Sequence, residues 1–175
     1  EGIFAKGPQD NPYRKVQNAL DESHPLKRLR LAPSVFLRWA IPKARLVLEP
    51  RYRFYADDWG IKAHTLDARI HVRATRNLLL RLRYRYYSQS GAFFWREDGN
   101  YGPDEVYRTA DPKVSEFQSH TPGGQIAVKL DLLAERVQGL HFLRGAWLQA
   151  TYNHIFQTTR YGNARLGSLS FSLPF

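Results

Sequence analysis

Most of the chain consists of stretches in which apolar and polar residues alternate with period two. Successive side chains of a β-strand point to opposite faces, so this alternation predicts strands with one apolar and one polar face. In the segment 44–57, Leu46, Leu48 and Phe54 lie on one face, and Arg51 lies on the other. The pattern recurs in seven segments, at 28–41, 44–57, 65–75, 78–89, 125–133, 142–158 and 167–175.

The length and the aromatic content of these segments favour a membrane β-barrel. A tilted strand needs about 9–11 residues to cross a bilayer, whereas strands of soluble proteins usually run about 5–6. Aromatic side chains on the apolar face lie towards both strand ends, as at the two interfaces of a membrane. They are Tyr52, Phe54, Tyr84, Tyr86, Tyr152 and Phe156 at one end, and Trp39, Phe142 and Phe175 at the other. The predicted fold class is therefore all-β, an antiparallel transmembrane β-barrel with seven strands in this chain.

Connection lengths predict the orientation. Short connections alternate with longer ones, and outer-membrane barrels have short periplasmic turns and longer extracellular loops. The last strand of such a barrel normally ends in the periplasm, which places Phe175 there and 1–26 outside as an extracellular loop segment. Residues 27–175 form the C-terminal part of the barrel, with a long extracellular loop at 90–124. The short connections are 41–44, 75–77 and 135–141, and the longer ones are 58–64, 90–124 and 159–165.

An odd strand count predicts that the barrel is completed by other strands. Bacterial single-chain barrels have even numbers of strands. We therefore expect missing upstream sequence or another chain to supply the remainder.

Composition limits the chemistry. The chain has 175 residues and no cysteine, which excludes disulfides and thiolate metal sites. No apolar run approaches the roughly 18 residues of a transmembrane helix. We expect neither a cofactor nor a metal.

Arginine is the main source of the formal net charge of +10, and it lies on the polar face of the strands. Facing lipid, each arginine would cost about 2–4 kcal/mol at mid-bilayer, so we place them in the lumen. Nucleic acid is excluded as a partner because a duplex cannot reach the inside of a barrel. The arginines are Arg45, Arg51, Arg53, Arg69, Arg73, Arg81, Arg83 and Arg85.

Two interpretations of these arginines remain open. They form a structural network that Glu49, Asp67 and Asp131 partly neutralise, or they form an anion-attracting wall that seats an acidic plug or partner. The segment 90–124, rich in aromatic and acidic residues, is either a lid over the basic lumen or a docking surface for an extracellular partner.

Asp57, Asp58 and His64 crowd one predicted extracellular hairpin. Outer-membrane proteases of the omptin type use Asp and His at this rim, where such a pair activates water. The alternatives are a cation site and ordinary turn chemistry, in which the aspartates cap the turn and Gly60 supplies a positive φ. We favour the turn and expect no enzymatic activity.

Several stretches resemble an outer-membrane β-barrel family of unassigned function. They are 9–16, 49–61 (with the motif RYRFYADDWGI), 63–65 and 83–89. The resemblance implies a location in the bacterial outer membrane, among its lipid and lipopolysaccharide. Family members are typically longer than this chain, and their genes often neighbour a flavin transferase and small lipoproteins. This implies envelope redox work and a lipoprotein or other envelope protein as partner. Pro174 before Phe175 departs from the usual C-terminal assembly signal.

The function that we predict is an outer-membrane β-barrel subunit acting as a pore or scaffold with an arginine-rich lumen. One alternative is an outer-membrane rim hydrolase of omptin-like chemistry. Another is a soluble basic β-protein that binds polyanions.

Overall fold

Nine β-strands form one antiparallel sheet in the computed structural model, which describes residues 22–102, 104–159 and 161–174. The order across the sheet is β1-β4-β5-β6-β7-β8-β9, and β2 and β3 also pair with β4. The predicted all-β fold is confirmed, as an open sheet. The strands are β1 (Arg30–Leu31), β2 (Ser34–Phe36), β3 (Trp39–Ile41), β4 (Leu46–Asp57), β5 (Lys62–Arg73), β6 (Leu78–Gln89), β7 (Phe117–Lys129), β8 (Trp147–Gln157) and β9 (Ala164–Ser172).

Helical structure is limited to short elements in the connections. They are α1 (Asp131–Arg136) and 3-10 helices at Pro42–Ala44, Pro112–Val114 and His141–Leu143. Among the described residues, each helix is too short or too polar to span a membrane.

The predicted strand 28–41 is interrupted, so the prediction of seven strands is wrong in its count. Residues 30–41 run along β4 in one register, from Arg30 opposite Asp57 to Ile41 opposite Leu46. Pro33 has no N–H to donate, and only its carbonyl joins the ladder, accepting from the N–H of Phe54 at 3.0 Å. Three short strands thus take the place of one.

β7 begins earlier than predicted, which shortens the predicted loop 90–124 to 90–116. The sequence Pro122-Gly123-Gly124 is typical of a turn, yet here it lies within a strand. At Gly123 the side chain of Asn153 covers the backbone, and an added Cβ would lie 2.1 Å from the Asn153 Oδ1. Glycine is present at this position because the Asn153 side chain lies close to the backbone, and not because the chain reverses direction.

The predicted alternation of short and longer connections is also wrong. β5 starts at Lys62, so the connection from β4 is only 58–61, as short as the 74–77 turn between β5 and β6. Conversely, β7 and β8 are joined by 130–146, which includes α1, in place of the short connection predicted at 135–141. Phe142 therefore lies in a connection and not in a strand.

The two ends of the sheet differ in structure. We call the end with connections 58–61, 90–116 and 158–163 the loop end, and the opposite end the turn end. The buried apolar cluster of the described residues lies at the loop end, where the 90–116 loop folds onto the β4–β5 turn. It contains Ile61, Ala92, Phe94 and Val114, with Tyr55, Trp59 and Trp95 packed against it.

Little of the predicted extracellular segment 1–26 is described. Residues 1–21 lie outside the described residues, as does Phe175. Ser23 pairs with Arg108 of the loop, and the Thr109 hydroxyl donates to Glu22 Oε1 at 2.9 Å.

Candidate functional site

Strand register aligns apolar side chains in rows across one face of the sheet, which we call the apolar face. Large side chains on this face are exposed: Leu82 to 59%, Leu169 to 73% and Trp39 to 66%. A contiguous apolar surface of this kind marks contact with a membrane or a partner. One row comprises Ile41, Leu46, Val72, Leu80, Ile126, Ala150 and Leu169.

Aromatic residues collect on the apolar face near the loop end. Register places Tyr52, Leu66, Tyr86, His120 and Phe156 in one row across five strands. The Tyr52 hydroxyl lies 2.7 Å from His64 Nδ1, and an equivalent pair joins Tyr84 to His120 at 2.6 Å. Such amphipathic rings suit a membrane interface.

The opposite face, which we call the basic face, carries the predicted arginines. Arg51, Arg53, Arg69, Arg73, Arg81, Arg83 and Arg85 all lie within β4, β5 and β6. Arg45 lies in the turn before β4, with φ of 51°. The period-two assignment therefore brings seven of the eight onto adjacent strands.

Two carboxylates are embedded among these arginines. Asp67 is 6% exposed and accepts from Arg69 Nε at 2.9 Å and from Arg83 at 2.5 and 3.1 Å. Glu49 lies 3.2 Å from Arg38 Nε and 3.0 Å from His71 Nε2. A buried charge such as that of Asp67 is tolerated only when it is paired. This part of the basic face has the contacts of a structural network.

The remaining arginines are not neutralised in this way. Within the described residues, no carboxylate lies at ion-pair distance from Arg45, Arg51, Arg53, Arg73, Arg81 or Arg85. Asp131, expected to share in neutralisation, instead contacts Lys129 Nζ at 2.6 Å. The basic face therefore combines a paired centre with a surplus of positive charge.

Asp57, Asp58 and His64 are not brought together. Asp57 accepts from Arg28 at 2.6 Å, and its other oxygen accepts from the Ile61 N–H at 2.9 Å. Asp58 Oδ2 accepts from the Leu29 N–H at 3.1 Å. His64 lies opposite Phe54 on the apolar face. Each aspartate thus has a turn or edge contact, and the imidazole faces the other way.

The acidic residues of the loop are engaged locally. Glu105 forms an ion pair with Arg96, and the backbone N–H of Asn100 lowers the pKa of Asp98. Asp111 accepts from the Lys113 N–H at 2.9 Å. In the described part of the loop, no ion pair joins an acid to the basic face.

One arrangement at the turn end was not foreseen. Arg81 Nε donates to His71 Nδ1 at 3.1 Å, beside a cavity of about 540 Å³. The sequence does contain a signal for this cavity. Val47, Leu79 and Ala127 are apolar residues at positions of their strands where the alternation predicts polar ones. Within residues 22–102, 104–159 and 161–174, no group of three or more His, Asp or Glu side chains could hold a metal ion.

The geometry defines an all-β protein with one apolar and one basic sheet face. A family model described as "Protein of unknown function (DUF3570)" matches residues 6–146, and the chain belongs to this family. No curated protein matches the chain. A solved structure titled "Bacterial polysaccharide outer membrane secretin" aligns with a TM-score of 0.44 and 11% identity, over 94% of this chain and 47% of that chain. The chain thus spans about half of that structure's length.

Proposed function

We propose that the chain forms part of the wall of a β-barrel in the bacterial outer membrane and acts as a pore or scaffold with an arginine-rich lumen. The observation that carries the proposal is the exposed apolar face, backed by a face rich in arginine. Lipid would cover Leu82, Leu169 and their neighbours, and water would solvate the arginines. β4, β5 and β6 have 12 residues each, enough to cross a bilayer at a tilt.

Further strands would complete the barrel. Within the described residues, β1–β3 form one edge of the sheet and β9 forms the other. Open edges are not tolerated in lipid because their N–H and C=O groups lack partners. We propose that the rest of a longer chain, or another chain, pairs with both edges.

The loop end would face the outside, because it carries 90–116, the longest connection between the described strands, and long loops of such barrels are extracellular. The aromatic row at this end would then lie beside lipopolysaccharide. The partner we propose is a lipoprotein or another envelope protein. Protease applied to intact cells should cut within 90–116 and spare 74–77, and the reverse result would invert the orientation.

Heat-modifiable migration tests the barrel directly. A folded barrel in detergent migrates differently in a gel before and after boiling, and it requires detergent to stay in solution. A soluble basic protein that binds polyanions would show neither property.

The surplus arginines would give the lumen a preference for anions. Arg53 has no carboxylate partner among the described residues, so its charge must be balanced by mobile anions or by a partner. In planar bilayers, Arg53→Gln should reduce the ratio of anion to cation permeability. A barrel that conducts only after a partner is stripped away would favour the scaffold. Cation preference would contradict both the orientation of the arginines into the lumen and their proposed effect on anion permeability.

The proposal assigns no catalytic role to Asp57, Asp58 or His64. The contacts described above support turn and edge roles for the two aspartates. Hydrolysis of peptide or lipid substrates that is lost in Asp58→Asn, in protein of unchanged stability, would overturn this part of the proposal.

A further inference from the structure

The basic face changes character at the turn end. There the lining of the cavity of about 540 Å³ includes Gln125, Gln149 and four apolar side chains from four strands, which we call its floor: Val47, Leu79, Ala127 and Trp147. Its volume falls within the roughly 300–1,000 Å³ of small-molecule sites, which are mostly apolar with a few placed polar groups. We call this cavity the turn-end pocket.

The lining of the pocket also carries positive charge. Arg45, Arg73 and Arg81 line it, and none has a carboxylate at ion-pair distance among the described residues. Arg73 lies directly opposite Leu79 in the sheet, so a cationic group adjoins the floor. A ligand that satisfies both must carry an anionic head and an apolar body.

A chain of hydrogen bonds orients one of these arginines. His71 Nε2 lies 3.0 Å from Glu49 Oε2, and Arg81 Nε donates to His71 Nδ1 at 3.1 Å. Because arginine can only donate, Nδ1 must accept, and His71 carries its proton on Nε2, which donates to Glu49. This arrangement uses the Nε–H of Arg81 and leaves the two terminal amino groups of its guanidinium for an anion.

We propose that the turn-end pocket binds a single-chain amphiphile with an anionic head, a fatty-acid-like molecule. The carboxylate lies against Arg81 and Arg73, and the alkyl chain lies along Leu79, Ala127 and Trp147. This goes beyond a pore or scaffold, neither of which needs a ligand. It does not depend on the membrane, because the floor residues lie on the face opposite the apolar one.

Binding of a fluorescent dansyl-labelled undecanoic acid tests the proposal. The full-length protein in lipid nanodiscs is titrated with the probe, empty nanodiscs give the blank, and dodecanoate displaces the probe. A hydrogen bond to a charged group is worth enough that Arg81→Gln should weaken binding about ten- to a hundredfold. Arg30→Gln, which removes a charge from the same face at the loop end, should leave the affinity unchanged.

His71 acts on the ligand through Arg81 and is a positioning residue. His71→Phe should weaken the binding of dodecanoate and leave its dependence on chain length intact. Leu79→Asn should do the opposite and abolish the gain in affinity from hexanoate to dodecanoate. Ala127→Leu, which fills the floor without adding a polar group, should block binding and covers the case in which Leu79→Asn does not fold.

Three results would overturn the proposal. They are equal losses in Arg30→Gln and Arg81→Gln, displacement of the probe by dodecyltrimethylammonium as readily as by dodecanoate, and displacement by inorganic phosphate at the same concentration as dodecanoate. Probe binding by a protein that shows no heat-modifiable migration would contradict the proposed function and support this inference.

Discussion

The apolar and basic faces belong to the same strands and the same backbone ladder, yet their side chains differ in how far they find partners within the sheet. On the apolar face, Leu48 lies opposite Trp39 and Ile70, and the surface beyond these contacts is open. On the basic face, one residue away, Glu49 and Asp67 organise part of the charge internally. Exposed leucine side chains favour apolar surroundings, whereas exposed arginine side chains require water or counter-ions. This contrast is the basis of our proposal that the sheet separates lipid from water.

The largest effect should come from placing a charge on the wrong face. Leu48→Arg should destabilise the protein by at most about 2–4 kcal/mol, the cost of an arginine exposed to lipid at mid-bilayer, since Leu48 lies opposite Trp39 towards one end of the strands. Val47→Arg changes the neighbouring residue, which faces the other side, and should cost much less. Urea titration of both variants folded into lipid vesicles measures the difference. Equal losses would refute the assignment of faces.

Within the basic face, paired and surplus charges should behave differently. Asp67→Asn weakens the contacts to Arg69 and Arg83, so it should lower the free energy of unfolding by about 1.5–3 kcal/mol. Arg85→Gln removes a charge without a carboxylate partner among the described residues, and it should lower anion preference with little effect on stability. If Arg85→Gln destabilises the protein as much as Asp67→Asn, the division into a network and a surplus fails.

The smallest effect on stability is expected at Asp131, which lies in the connection 130–146 at the turn end of the sheet. The Lys129 side chain and the Gly145 N–H, at 2.6 and 2.7 Å, lower the pKa of Asp131. A carboxyl with a lower pKa in the folded state stabilises that state well above about pH 4, its value in the unfolded chain. This stabilisation disappears as the pH falls through the lowered pKa.

Asp131→Asn should therefore reduce stability slightly at neutral pH and weaken its acid dependence. Thermal unfolding of both proteins at neutral and acidic pH measures this. If the difference in stability between the wild-type protein and Asp131→Asn grew as the pH was lowered, the predicted direction of the pH dependence would be wrong.

The success of the sequence patterns depended on the absence of interruptions. β6 was predicted at 78–89 and observed at Leu78–Gln89, because no proline or glycine breaks its alternation. Pro122-Gly123-Gly124 hid the first half of β7, because the close contact with Asn153 is a tertiary feature. α1 was missed for a similar reason. Its first residue, Asp131, accepts from the N–H of Gly145, which lies far along the chain.

The alternation of apolar and polar residues predicted which face carries the arginines, but it did not predict their partners. That Asp67 lies between Arg69 and Arg83, and that Glu49, His71 and Arg81 form a chain, depends on the register between β4, β5 and β6. Alternation predicts the face on which a residue lies, but it does not predict which residue of the neighbouring strand lies opposite. The turn-end pocket lies beyond such patterns because its floor combines residues from four strands.

We propose that one face contacts lipid and the other contacts water. Because the chain has no cysteine, single cysteines placed along β6 can carry nitroxide spin labels without interference. Collisions with oxygen report lipid, and collisions with a water-soluble nickel complex report an aqueous surface. In lipid vesicles, we expect high oxygen access at Leu80 and Leu82 and high nickel access at Leu79 and Arg83, alternating along the strand. Nickel access that is equally high at all four positions would contradict the account.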